Sequence, residues 1–245
     1  MNAQNTIQKE KEKALLARLM SDVYNRGDRM MGIALVLYFG LGFVLAFRYQ
    51  TWLIAVVIGA LGTGSFFLAK WMFPKSTLSQ YVASAAVAIY TAQFIYQMHG
   101  LFEMHFFAFI GSTLMITYQN WKTLLPVSLI VALHHGLFAY LEHCGLSQIY
   151  FTTEAYDMTL LSFSIHIFLA VVIFGICGLW SYHLEQSTIS NTRNLALMEE
   201  MAADMRSNIS LANDMSNGKV DGEYQITKGD VLGECLLEIR ERLKA

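Results

Sequence analysis

The histidines and one glutamate in the middle of this chain are the residues whose types could do chemistry. They lie in strongly apolar sequence, where an ionisable side chain costs roughly 2.5 to 3.5 kcal/mol to insert into a membrane and usually marks an ion, proton or cofactor site. The candidates are His99, Glu103, His105, His134, His135 and His166. Imidazole binds copper, zinc, iron and haem iron, and a carboxylate can complete such a site or orient a histidine. The set therefore predicts a bound transition metal ion or haem.

Helical geometry limits how these residues can share one site. His134 and His135 point about 100 degrees apart, so both can reach a compact ion but they cannot be the two axial ligands of one haem. Glu103 and His105 diverge by roughly 200 degrees, so both face the site only if the start of their helix is irregular. His99, just before that helix, could replace either of them.

Two kinds of cofactor remain open. A metal ion is the first choice, with copper favoured by analogy with the His-His copper site of haem-copper oxidases and zinc or iron as alternatives. Haem b is the second choice. It would need histidines on facing helices, for instance His105 with His134 or His166. It would also need a slot lined by small residues, for which the candidates are Gly111, Ala132 and Gly136.

Other polar residues have more ordinary explanations. A single histidine in a membrane span often forms a hydrogen bond between helices, which is the competing interpretation of His166. His99 and His143 lie at the rim of the apolar segments, where solvated loop histidines are common. His183 is expected at the cytoplasmic interface between membrane and water. The three cysteines are far apart in the sequence, which argues against a disulfide framework.

Composition identifies the setting as a membrane. Of the 245 residues, 55% are hydrophobic and 15% are charged, with only two prolines, a balance too apolar for an ordinary soluble domain. The net charge of -2, with no basic block, excludes a nucleic-acid surface. No phosphate-binding glycine loop or nucleophile with a matching base is visible, so we expect a protein that is not an enzyme.

Six apolar segments are predicted to position the candidates. Each is long enough to span about 30 Å of hydrocarbon. They lie at residues 30–47, 52–70, 78–98, 101–119, 123–142 and 157–182. Residues 7–29 predict a short amphipathic helix on the cytoplasmic face of the membrane, and the positive-inside rule places both termini in the cytoplasm. The fold class is therefore all-α, an integral membrane six-helix bundle.

The candidate residues are expected at similar depths. At about 1.5 Å per residue, Glu103 and His105 lie within about 6 Å of the outer end of the fourth span. His134 and His135 lie about 10 to 12 Å below the outer end of the fifth, and His166 about 13 Å below that of the sixth. Side chains from three helices thus share one layer in the outer half of the membrane.

The last sixty residues have a different pattern. Residues 184–216 are polar and carry apolar positions at alternating steps of three and four, which is typical of a coiled-coil seam. The seam consists of Leu195, Met198, Ala202, Met205, Ile209 and Ala212. After a turn-rich connector at 217–229, a second seam follows at Leu232, Leu236, Ile239 and Leu243. Two helices with narrow apolar stripes predict a parallel dimeric four-helix arrangement in the cytoplasm.

Two family resemblances follow from these motifs. The sequence GDVLGECLLEIRERL at 229–243 resembles the second helix of HAMP domains, the signal relays of bacterial receptors. The segment at 102–143 resembles part of the six-span sensor region that precedes chemoreceptor, diguanylate cyclase and histidine kinase outputs, and the resemblance covers roughly residues 10–185. The matching positions are Glu103, His105, Phe106, Tyr118, Trp121, His134 and His135, with His166 in the last span.

The resemblances imply a domain organisation and a function. We expect a cytoplasmic amphipathic helix at 1–29, a six-span sensor domain at 30–183 and a HAMP-like relay at 184–245. The chain would be a homodimeric sensor of the bacterial inner membrane, surrounded by lipid, in a two-component, chemotaxis or cyclic-dinucleotide system. It would pass its signal to a cytoplasmic output domain that follows it or lies on another polypeptide.

Two other functions stay open at this point. The same histidines could hold haem in a membrane electron carrier or quinol oxidoreductase, which would leave the relay-like tail without a role. They could also form a polar pocket in a receptor for a diffusible organic signal. A transporter is disfavoured because the apolar segments show no internal repeat and no interrupted pair.

Overall fold

The computed structural model describes residues 2–145, 159–222, 224, 226–227 and 229–244, and these residues form helices and connections without any strand. The helices are α1 (Asn2–Tyr49), α2 (Trp52–Met72), α3 (Leu78–Gln97), α4 (Phe106–Met115), α5 (Leu124–His143), α6 (Leu160–Ser216) and α7 (Val231–Lys244). Short 3-10 turns lie at Phe102–His105, Ile116–Tyr118 and Trp121–Thr123. The predicted all-α class is confirmed. The predicted outer loop beyond residue 145 and the first two residues of the sixth predicted span lie outside the described residues.

Four helices in the described part of the chain are long and apolar enough to cross a membrane. They are α1, α2, α5 together with the turn before it, and α6. The predicted third and fourth spans correspond to α3 and α4, which are not in this group. Helix α4 has only 10 residues, because 3-10 turns replace regular helix at both of its ends. Helix α3 has 20 residues but is less apolar than the four.

The polar character of α3 follows from its position. Thirteen of its 20 residues are buried, among them Ser84, Thr91, Gln93 and Gln97. Inside a membrane bundle, small and hydroxyl-bearing residues allow close helix packing, and amides form hydrogen bonds between helices. Gln97 does this, because its amide nitrogen donates to the backbone oxygen of Gly42 and to Thr51 Oγ1, both at 2.9 Å. Helix α3 is therefore the core helix that its neighbours surround.

The described chain divides into two compact units. One comprises Met1–Ala17 and Thr188–Ala245, and the other Arg18–Ser187. Helix α1 continues through residue 29 and α6 through residue 183, where the sequence suggested domain boundaries. The polar segments and the apolar segments that they adjoin thus belong to the same helices.

The smaller unit is organised around Asp230, at the start of α7. One carboxylate oxygen accepts from the backbone nitrogen of Gly233 at 3.1 Å and the other from the side chain of Asn208 at 2.6 Å. A Cβ added at Gly233 would lie 2.6 Å from Ile226 and 2.8 Å from Asn208. The Asp-Val-Leu-Gly sequence therefore has a physical basis, since Asp230 caps α7 and Gly233 permits close packing of the connector.

A buried carboxylate joins four elements of the larger unit. Asp28 of α1 accepts hydrogen bonds from Ser79 of α3 at 3.1 and 3.3 Å and from the Tyr118 hydroxyl at 2.9 Å. Lys70 of α2 forms an ion pair with it at 3.2 Å. The Tyr118 ring packs against Gly27, where an added Cβ would lie only 2.6 Å from it. A buried charge is tolerated when it is paired and hydrogen-bonded in this way, and removing one partner is costly.

This cluster yields a stability prediction. Changing Tyr118→Phe removes the hydroxyl that donates to Asp28 while keeping the ring on Gly27. A hydrogen bond to a charged group contributes about 1.5 to 3 kcal/mol, so we expect the free energy of unfolding to fall by that amount. Titration with a denaturing detergent in mixed micelles measures it. Tyr140→Phe is the control, because Tyr140 is 64% exposed. Equal effects of the two changes would contradict the role given to Asp28.

Candidate metal centre

Three histidines converge in the larger unit. His105, His135 and His166 each offer one ring nitrogen, and these nitrogens all lie within 4.8 Å of one another. The ring centroids are 5.2 Å apart for His105 and His135, 5.3 Å for His105 and His166, and 5.4 Å for His135 and His166. His105 and His135 are buried, and His166 is half-buried. We call these three residues the His triad.

Each member of the His triad comes from a different element. His105 ends the 3-10 turn before α4, His135 lies in α5, and His166 lies in α6. The Phe102 ring covers two of them, with its centroid 5.7 Å from that of His105 and 5.6 Å from that of His166. His105 and His166 are 61 residues apart along the chain, so the three rings lie together only while these elements keep their packing.

Backbone carbonyls fix the tautomers of two of the rings. His105 Nδ1 donates to the backbone oxygen of Phe102 at 3.0 Å, and His135 Nδ1 donates to that of Val131 at 2.8 Å. Since a carbonyl oxygen only accepts, the proton lies on Nδ1 and the lone pair on Nε2. A hydrogen bond from the ring nitrogen that does not bind the metal is the usual way in which a protein orients a metal-binding histidine. Sequence reasoning did not identify these carbonyls, although the four-residue step from Val131 to His135 is the spacing that allows such a bond.

The spacing suits a small ion after a modest contraction. Three nitrogens bound to zinc at 2.0–2.1 Å in tetrahedral geometry lie about 3.3 Å apart. Starting from separations of at most 4.8 Å, the rings would approach one another by no more than about 1.5 Å. Side-chain rotations and small helix shifts cover that distance. Three neutral imidazoles can hold zinc, copper or iron.

Two other predicted ligands, His134 and Glu103, are not members of the triad. His134 is half-buried, and its ring packs on Phe138 with centroids 4.2 Å apart and lies 5.4 Å from the ring of His135. Glu103 is exposed and is not part of the triad. Both residues lie in the 3-10 turn Phe102–His105, where side chains two positions apart still point about 120 degrees apart, so Glu103 does not face the triad with His105.

His99 has a conformational role at the end of α3. Its φ of 51° is left-handed, and Gly100, with a φ of 78°, closes the helix by donating to the backbone oxygen of Ile95 at 2.9 Å. The His99 ring stacks on Tyr49 with centroids 3.6 Å apart. The pKa of His99 is lowered mainly by its loss of solvation and, to a smaller extent, by the nearby Arg48 cation. The ring is therefore largely neutral at pH 7.

The small residues considered for a haem slot are used differently. Gly111 packs against Val87, whose Cγ1 would lie 2.1 Å from an added Cβ, so this space is already filled. Gly136 has open space around its Cα, and Ala132 is exposed. Three imidazoles that converge on one point also suit a compact ion better than a flat macrocycle with two opposed axial ligands. The geometry favours an ion over haem.

No family model, curated protein or solved structure matches this chain. The resemblances to a six-span sensor region and to HAMP domains therefore stay predictions that depend on their motifs.

The geometry separates two adjacent histidines that the sequence could not distinguish. Changing His135→Ala removes a triad nitrogen, whereas His134→Ala removes a ring outside the triad. Loss of a supporting residue weakens metal binding by about 10- to 100-fold, and we expect loss of a direct ligand to exceed about 100-fold. Metal content after equilibrium dialysis against a competing chelator measures the difference. If His134→Ala loses metal as completely as His135→Ala, the triad is not the binding site.

Proposed function

We propose that this chain is a membrane sensor whose His triad binds a transition metal ion and passes the state of that ion to a cytoplasmic output. The observation that carries the proposal is the convergence of His105, His135 and His166, with two of the rings oriented by backbone carbonyls. Copper stays the first choice and zinc or iron the alternatives. Ligand binding to the ion, or a change in its redox state, would be the stimulus.

Helix α6 supplies the route for the signal. It carries His166 and continues as one helix through Ser216, beyond the coiled-coil seam predicted from Leu195 onward. A stimulus can shift an equilibrium only by its difference in affinity for the two states. In this chain the two states would differ in the position of the His166 ring relative to the other two rings. A bound ion would favour the state in which the His166 ring lies closer to them.

The membrane arrangement belongs to the same proposal. In it α3 and α4 complete a six-helix bundle with the four helices that are apolar enough to cross a membrane. The chain spans a bacterial inner membrane, and both of its termini lie in the cytoplasm, as the positive-inside rule predicts. The tail is a HAMP-like relay in a homodimer, and exposed seam residues support this pairing, with Met198 at 66% and Met205 at 61%.

The identity of the cofactor is tested by optical spectroscopy with metal analysis on one detergent-solubilised sample. We expect a near-stoichiometric metal ion that is lost in His105→Ala and His166→Ala, without the Soret band of haem. A Soret band that shifts on reduction and disappears in those variants would instead support haem and the electron-carrier alternative. Protein with neither signal, purified without chelator, would overturn the cofactor proposal and favour a receptor for an organic signal.

Signal transfer is tested by disulfide cross-linking in the tail. A variant with Cys144, Cys177 and Cys235 changed to serine receives Met205→Cys in the seam or, as the control, Ser210→Cys, which lies about 140 degrees away on the same helix. We expect cross-linked dimer from the seam position only. The cross-linking rate should change severalfold when metal is removed, and this response should vanish in His166→Ala. A rate that is independent of metal would contradict signalling through α6.

A further inference from the structure

A groove between α1 and α2 has no part in the proposed function. Its volume is about 870 Å³. One end is lined by Asp22, Asn25, Asp28, Arg29 and Lys70, and the other by Gly32, Ile33, Val36, Leu37 and Phe67. The groove is thus charged at one end and apolar along the rest. All of its lining lies within the larger unit.

Gly32, which has no side chain, lies at the floor of the groove. A Cβ at this position would lie 3.3 Å from the Phe66 ring and 3.5 Å from the Phe67 ring. Helices α1 and α2 therefore approach closely here, while the larger side chains of Val36 and Leu37 extend along the wall. These wall residues are half or more exposed, at 50% for Val36 and 66% for Leu37. An apolar molecule lying in the groove would cover them.

The charged end lies at the boundary of the hydrocarbon. After Arg29, α1 has no charged residue until Arg48, and the 18 residues between them rise about 27 Å, close to the thickness of a bilayer core. Lys70 is the only charged residue of α2 and lies near its end. The Lys70 ion pair with Asp28 places the two helices at a common boundary. The groove consequently runs from the headgroup region into one leaflet.

The charges at this end are balanced. Arg29 and Lys70 supply two cations, and Asp22 and Asp28 supply two anions. Because Lys70 and Asp28 pair with each other at 3.2 Å, the exposed Arg29 and Asp22 are the groups presented to a ligand. One guanidinium suits a phosphate, which it can bind with two parallel hydrogen bonds. One carboxylate suits an ammonium group. The pattern matches a headgroup that carries both charges.

We propose that this groove is a binding site for one zwitterionic phospholipid with a primary ammonium headgroup, of the phosphatidylethanolamine class. The phosphate binds Arg29, the ammonium binds Asp22, and an acyl chain lies along Ile33, Val36 and Phe67. An anionic lipid would leave Asp22 facing negative charge, and a choline headgroup has no N–H to donate to it. The site rests on insertion of α1 and α2 in a bilayer but is independent of the His triad.

Native mass spectrometry tests the site. The full chain is reconstituted in nanodiscs with equal parts of phosphatidylethanolamine, phosphatidylcholine and phosphatidylglycerol, then released into mild detergent. We expect one retained phosphatidylethanolamine per chain. Losing one charge-assisted hydrogen bond should lower retention about tenfold in Arg29→Gln and in Asp22→Asn. Arg26→Gln is the matched control, because Arg26 is also an exposed α1 cation but does not line the groove.

Each outcome has a definite meaning. Equal retention of the three lipids, no retained lipid, or equal losses in Arg26→Gln and Arg29→Gln would overturn the proposed lipid site. The bound metal is read in the same spectra as a separate mass. Loss of metal in His135→Ala with lipid retained supports both proposals, whereas retained lipid on a protein that never holds metal leaves the groove assignment standing and removes the metal sensor.

Discussion

The burial of Asp28 is the constraint on which the larger unit depends. A carboxylate that is so little exposed to solvent needs hydrogen-bond donors and a cation. Asp28 obtains them from α2, α3 and the turn after α4. Each partner must therefore keep its position for the charge to remain satisfied. Non-directional apolar packing alone would let these helices slide or rotate. The Asp28 cluster instead fixes the register of four elements at one end of the bundle.

Helix α4 connects this fixed end to the His triad. Tyr118 follows α4 and is bound to Asp28, while His105 precedes α4 and belongs to the triad. Between them, the backbone oxygen of Phe107 accepts from the Tyr38 hydroxyl at 3.2 Å, and Gly111 lets α4 pack closely on Val87 of α3. The element that carries His105 is consequently held at both ends and along its length. It can act as the stationary side of a metal site.

Sequence reasoning reached the helical class and the three residues of the triad because apolar segment length and the cost of a charge in lipid are strong signals. It could not separate His134 from His135, since both choices suit a helix and only the rotation of α5 decides between them. The exposure of Glu103 agrees with its two-residue spacing from His105, since side chains two positions apart point in different directions in an α-helix and in a 3-10 turn. Asp28 was grouped with an amphipathic surface helix, because its partners lie 42 to 90 positions away along the chain. Non-local pairing of this kind leaves no local pattern.

The helices that carry the triad differ in how firmly they are held. Only 6% of the most apolar window of α6, which carries His166, is buried, compared with 17% for the span that carries His135. Few contacts oppose a displacement of α6, so drawing His166 toward His105 and His135 costs less than moving either of the other two rings. A bound ion would therefore move α6 against a fixed α4, and the displaced helix is the one that continues into the polar tail. The uneven burial of the helices gives the proposed signal its direction.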